Sequence, residues 1–235
     1  MISIFGDKKR QDSGMPANEQ FSTELSVAAK EAYKRLRTNL AFALPDLDED
    51  GGYIVGITSA LRGEGKSTTV LNLARALAEQ GKRVIVVESN FRLPSLHKKL
   101  KIRPKQGLSN VLLTNEDPDN YIWTFKVGKA DQSENFFHLL PVGVIPPNPS
   151  ELLSSRQMEG LVRYLARKYE YVLLDLPPVT AVPDVLAATK LMDGVVMVVR
   201  DRYSDTDSMT EALRQLRQAE VKILGVVLTC ANDIR

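Results

Sequence analysis

The sequence predicts an α/β protein of three layers, with a mainly parallel central sheet flanked by helices. Three observations predict it. Six short runs are apolar throughout, as strands covered on both faces are: "YIVGI", "RVIVVE", "FFHLLPV", "EYVLLDL", "GVVMVV" and "KILGVVL". Helical spacing fills most of the gaps between them, at 67–79, 154–169, 184–190 and 204–219. Such alternation implies right-handed crossovers and parallel pairing. Finally, the first run leads into "TSALRGEGKSTT". A glycine-rich loop between a strand and a helix is the setting of a phosphate-binding P-loop.

Ahead of that core, residues 1–20 are polar and are expected to form a flexible arm. From Leu25 the apolar positions Ala29, Ala32, Leu36, Leu40 and Ala43 or Leu44 recur at gaps of three and four. They predict an amphipathic helix at about 24–44, stopped by Pro45 and the pair Gly51 and Gly52. Residues 21–235 then read as a single domain. The stretch 93–135 is less regular and is expected to be short helices and loops over the sheet's edge.

Composition narrows the class. The chain is 43% hydrophobic and 26% charged, a soluble globular profile, and its net charge is only +2. The short basic runs Lys8–Arg10 and Lys98, Lys99, Lys101 read as solvated surface, so no nucleic-acid partner is expected. No run approaches the ~20 apolar residues of a membrane helix, and "MISIFGDKKRQDSG" lacks a signal-peptide core. The single cysteine, Cys230, lies in "ILGVVLTCA" and is expected to be a buried core thiol.

The chemistry begins at Ala60-Leu61-Arg62-Gly63-Glu64-Gly65-Lys66-Ser67, which fits the Walker A spacing with Ala60 in the first glycine position. Gly63 and Gly65 let the backbone curl so that amides from Gly63, Glu64, Gly65, Lys66, Ser67 and Thr68 converge on phosphate oxygens. Lys66 is placed to reach the outer phosphates and the Ser67 hydroxyl to ligate Mg²⁺. The helix that follows turns its positive end toward the anion. The cofactors expected are therefore ATP and Mg²⁺. A second metal-holding carboxylate belongs at the end of a neighbouring strand, and Asp175 in "YVLLDLPP" supplies it. Glu88 and Asn90 close the strand after the P-loop helix, two residues apart and so facing one side if the strand continues. Either they hold metal and accept a hydroxyl proton, or Glu88 is an ordinary strand-end residue.

Together these residues resemble the bacterial tyrosine kinases of capsule and exopolysaccharide synthesis. The resemblance runs from about residue 31 to 229. It rests on "EAYKRLRTNL", "GEGKST", "ESNFRLPSLH", "LPVGVIPPNPSELLSS", "YVLLDLPPV", and "DGVVMVVR" with "ILGVVL". "GEGKST" alone is shared with partitioning and nitrogenase-type ATPases; "PPNPSELL" with "EAYKRLRTN" is more particular. The resemblance implies a cytoplasmic enzyme moving the γ-phosphate of ATP to protein tyrosines. It also implies a membrane-anchored polysaccharide chain-length regulator as activator, recruiting the kinase to the inner face of the plasma membrane. With Met1 at its start and no membrane helix, the chain is expected to be of the separate-subunit type. A glutamate and two cations spaced along the first helix, here Glu31, Lys34 and Arg37, are expected at a homo-oligomeric, ring-like interface. Lys66, Asp175 and Arg62 are expected in catalysis, Glu88 as the base, and Ser67, Asp175, Glu88 and Asn90 as the metal set.

Four departures from the family pattern stand out. Glu88 and Asn90 replace a pair of aspartates. Arg62 replaces a common proline, and either lends charge to the transferring phosphate or faces solvent. Thr229 stands where an adenine-reading asparagine is common. No tyrosine cluster precedes Arg235, and the seven tyrosines are scattered, Tyr53 and Tyr171 beside strands. Two rivals follow: a nucleotide-binding scaffold of the polysaccharide machinery that transfers no phosphate, and a partitioning-type ATPase. Against the latter, Leu61 occupies the position of that group's second lysine.

Overall fold

Capping chemistry sets where the helices begin. In the computed structural model, which describes residues 19–20, 25–46, 51–128, 135–181 and 184–231, α1 (Val27–Ala43) starts after Ser26, whose Oγ accepts the Ala29 N–H at 3.2 Å. Ser155 does the same for α6 (Arg156–Lys168), and Asp205 for α8 (Thr206–Gln218). Each cap satisfies one of the amide donors that a helix start leaves without an intrahelical partner. Within α6, Met158, Leu161, Val162 and Leu165 form one buried stripe, the spacing of a helix laid on a sheet. The other helices are α2 (Lys66–Ala78), α3 (Leu96–Lys99), α4 (Leu108–Thr114), α5 (Pro149–Leu153) and α7 (Asp184–Ala188).

The strands are β1 (Glu19–Gln20), β2 (Tyr53–Ser59), β3 (Val84–Glu88), β4 (Trp123–Val127), β5 (Asn135–Leu140), β6 (Tyr171–Asp175), β7 (Gly194–Arg200) and β8 (Ile223–Thr229). They pair in the order β1-β4-β5-β3-β6-β2-β7-β8. All pairs are parallel except β4 with β5. One core cluster packs α1, α2 and α3 on one face of the sheet; the other packs α4, α5, α6 and α8 on the opposite face. The three-layer, mainly parallel architecture expected from the sequence is present.

Three local expectations need correction. The stretch 93–135 holds a true strand, β4, antiparallel to β5, with Phe125 and Val127 buried between polar neighbours. Its alternation reflects a strand covered mainly on one face. The run forming β8 is not covered on both faces, because β8 is the sheet's edge: Val226 is 54% and Leu228 47% exposed. Cys230, just past β8, is exposed and left-handed (φ 55°). Of the expected N-terminal arm, residues 1–18 lie outside the described residues, while Glu19–Gln20 pairs with β4.

Candidate functional site

Parallel strands deliver their carboxyl ends to one side of the sheet, and the loops after β2, β3 and β6 meet there. The P-loop curls between β2 and α2 with positive φ at Gly63 (77°) and Gly65 (99°). At Gly65 a side chain would be strained by that φ and would also press on Thr229, 3.3 Å from a Cβ. Neighbouring strands brace the loop. Thr229 Oγ1 donates to the Glu64 carbonyl at 2.7 Å, Arg200 Nη1 to the Gly63 carbonyl at 3.3 Å, and Thr180 Oγ1 to the Ala60 carbonyl at 2.6 Å. The Glu64 side chain is buried; it accepts the Leu61 N–H at 2.6 Å and the Ser204 hydroxyl. Glu64 can therefore offer a ligand its backbone amide but not its carboxylate. Thr229 is committed to shaping the loop.

Lys66 is the first residue of α2, and its Nζ donates to Ser59 Oγ at 2.9 Å. Burial holds this ammonium's pKa below the usual lysine range, against the opposing pull of Asp175 and Glu64. Ser67 Oγ donates to Asp175 Oδ2 at 2.9 Å, and Ser95 Oγ donates to Ser67 Oγ at 2.9 Å. Asp175 is fully buried, and its Oδ1 has no hydrogen-bond partner. Burial pushes its carboxyl up to about 7, with Glu88 adding to the rise and Ser67 and Lys66 opposing it. A buried carboxylate oxygen without a partner is costly unless something arrives to use it. The residues present fit a small hard cation shared with phosphate oxygens: one hydroxyl, one carboxylate, and a curl of amides above them.

Beside this pair lies a cleft of about 340 Å³. Arg62, Lys66, Ser67 and Thr68 line it from the loop side, Asn90, Arg92, Leu93, Ser95 and Lys99 from the β3–α3 side, and Pro177, Pro178 and Ala181 from the β6 side. Lys99 Nζ donates to Thr68 Oγ1 at 3.0 Å. Asn90 lines the cleft and its Oδ1 accepts the Leu93 N–H at 3.3 Å. Arg62 lines the cleft and is exposed. A larger cavity of about 620 Å³ lies against another side of the loop, between α1 and the end of β8, with Tyr33, Thr69, Arg200 and Cys230 in its walls. Neither cavity has Asp175 in its wall, but the smaller cleft is lined by Lys66 and by Ser67, whose hydroxyl reaches Asp175, and the larger one is not.

Glu88 corrects the sequence reading. It lies opposite Asp175 in the β3–β6 register and is fully buried. Its Oε1 accepts the Leu96 N–H at 2.7 Å and its Oε2 the Val142 N–H at 3.1 Å, with His97 Nδ1 at 3.8 Å. It is absent from the cleft wall, whereas Asn90 is part of it. The longer arm of glutamate takes its carboxylate to backbone amides instead. The strand ends at Glu88, so period-two alternation does not carry on to Asn90. Arg37 has a contact within the chain. Its Nη1 donates to the Ala76 carbonyl at 2.7 Å, tying α1 to the last turn of α2, while Glu31 and Lys34 form an exposed ion pair at 3.1 Å. Ser95 and Thr180 do not stand out in the sequence, and Lys99, read there as solvated surface in a basic run, lines the cleft. Ser95 and Lys99 sit inside or beside the quoted "ESNFRLPSLH", but hydroxyl and lysine side chains carry no spacing signal of their own.

The model of the CobQ/CobB/MinD/ParA nucleotide binding domain matches residues 55–233. Tyrosine-protein kinase YwqD of Bacillus subtilis is 35% identical over 94% of this chain and 89% of its own length. This chain belongs to the bacterial protein-tyrosine kinases. The kinase domain of Escherichia coli tyrosine kinase ETK superposes with a TM-score of 0.75 at 27% identity, over 88% of this kinase chain and 79% of ETK's. Tyrosine-protein kinase wzc of Salmonella typhi is 29% identical over 88% of the kinase chain, which spans 27% of that longer relative. Among the described residues, no helix is long and apolar enough to cross a membrane.

Proposed function

We propose that the chain transfers the γ-phosphate of Mg-ATP to protein tyrosines. The observation that carries this reading is Asp175 Oδ1, buried without a partner, on a carboxylate already joined to the P-loop serine. The Gly63–Thr68 amides and Lys66 would hold the phosphates, and Ser67 with Asp175 would hold the magnesium. Held by Ser67 and Asp175, a magnesium ion would supply positive charge to the phosphates. The phenolic oxygen forms its bond to the γ-phosphorus while the bond to the bridging oxygen of ADP breaks. Among the described residues no carboxylate lines the cleft, and both Glu88 oxygens accept backbone amides, so Glu88 is not assigned as the base; the phenolic proton leaves to solvent. A loose transition state asks little of a general base, and Lys66, Arg62 and Lys99 supply positive charge around the transferring group.

A membrane-anchored polysaccharide chain-length regulator as activator, recruitment to the inner face of the membrane, and self-assembly through Glu31, Lys34 and Arg37 belong to the same proposal; the family resemblance supports them. A second reading, a scaffold that binds nucleotide without transfer, is favoured by the same lack of a cleft carboxylate.

Incubation with γ-labelled ATP, Mg²⁺ and the activator's cytoplasmic tail separates these readings. Label on tyrosine, abolished by Lys66→Ala, supports transfer. Label appearing only as free phosphate contradicts it, and nucleotide held with neither product supports the scaffold.

A further inference from the structure

The short run Lys98, Lys99, Lys101 belongs to a larger feature than the sequence alone suggests. From position 89 to 115 the chain has no Asp or Glu, yet carries Arg92, Lys98, Lys99, Lys101, Arg103 and Lys105. The whole chain is only +2, less than these six cations, so the rest of the molecule is net acidic. All six are exposed. Among the described residues, Lys98, Lys101, Arg103 and Lys105 have no carboxylate partner. Nor are they mounted on a loose loop. Leu96, Leu100 and Ile102 are buried in the core, and the Ile102 N–H closes a hook onto the His97 carbonyl at 3.0 Å. The apolar side chains point in and the cations are held out.

One end of this strip reaches the cleft, where Arg92 and Lys99 line the wall. Next to them stand Leu93, which is 50% exposed, and Pro178, an apolar shelf of a kind that suits an aromatic ring. Resting on the tyrosine-transfer reading, we infer that the strip from Lys98 to Lys105 docks an acidic peptide segment flanking the acceptor tyrosine. The substrate class is thus a tyrosine in an aspartate- or glutamate-rich stretch. Charge complementarity and continuity with the cleft favour a peptide over a lipid surface.

The test measures binding apart from turnover. Fluorescence anisotropy follows a labelled tyrosine peptide flanked by glutamates, and a copy flanked by glutamines. Wild type is expected to bind the acidic peptide about tenfold more tightly at low salt, an advantage that salt erodes. Lys66→Ala should keep the preference. The triple variant Lys98→Glu, Lys101→Glu, Arg103→Glu, touching no cleft residue, should lose it while melting like wild type. Equal binding of both peptides by wild type overturns the inference, as does a preference that survives charge reversal. So does capture by phosphatidylglycerol vesicles without affinity for the acidic peptide. If wild type binds the acidic peptide but never phosphorylates it, docking stands and the transfer reading falls.

Discussion

Asp175 makes the nucleotide-free chain sensitive to pH. Its carboxyl titrates near 7 when folded and near its ordinary 3.8 when unfolded, so the folded chain keeps a proton that the unfolded chain releases. The stability it contributes is full below about pH 4 and is lost as pH rises through about 7, a change on the order of a few kcal/mol. Asp175→Asn should therefore raise the melting temperature of the empty chain at pH 8 and change it little at pH 5, while weakening its hold on magnesium. Scanning calorimetry at the two values checks this; equal effects at both would contradict it. Glu88 gives a contrasting prediction. Glu88→Gln replaces one amide acceptor with a donor, and should cost about 1–3 kcal/mol of stability through a buried mismatch. Transfer per folded molecule should stay within a few-fold of wild type. Urea unfolding beside single-turnover kinetics separates the two effects.

Among the elements, α1 joins the core through Leu40 and Leu44 and is fastened to α2 by Arg37. Arg37→Ala should destabilise the monomer by about 1–2 kcal/mol, since a guanidinium bond to a part-buried helix-end carbonyl is lost. Denaturation at a concentration too low for association isolates that loss; a sedimentation change without it would place Arg37 at a subunit contact instead. Sequence legibility varies element by element for physical reasons. β2, β3, β6 and β7 are covered on both faces, and their unbroken apolar runs announce them. β4 alternates, with Lys126 between Phe125 and Val127, and so reads as irregular. β8 has the same apolar composition as the central strands but lies at the edge, and an apolar run does not say how many neighbours its strand has. Cys230 takes its expectation of burial from that run. At the site, glycine spacing and the strand-end aspartate reveal the loop and Asp175. Glu88 misleads because its role depends on Leu96 and Val142 amides that only the tertiary fold brings to it.

Across the whole molecule, the loops after three parallel strands unite around the cleft proposed for phosphate transfer. The Lys98 to Lys105 hook extends the cleft's positive rim along the surface. This cleft must bind a magnesium-bound nucleoside triphosphate before any peptide receives phosphate. Titration calorimetry with a non-hydrolysable ATP analogue measures that directly, with the activator's cytoplasmic tail present. A single binding event is expected, dependent on magnesium and lost in Lys66→Ala. Absence of binding in wild type, or binding unchanged by chelating magnesium and by Lys66→Ala, would contradict it.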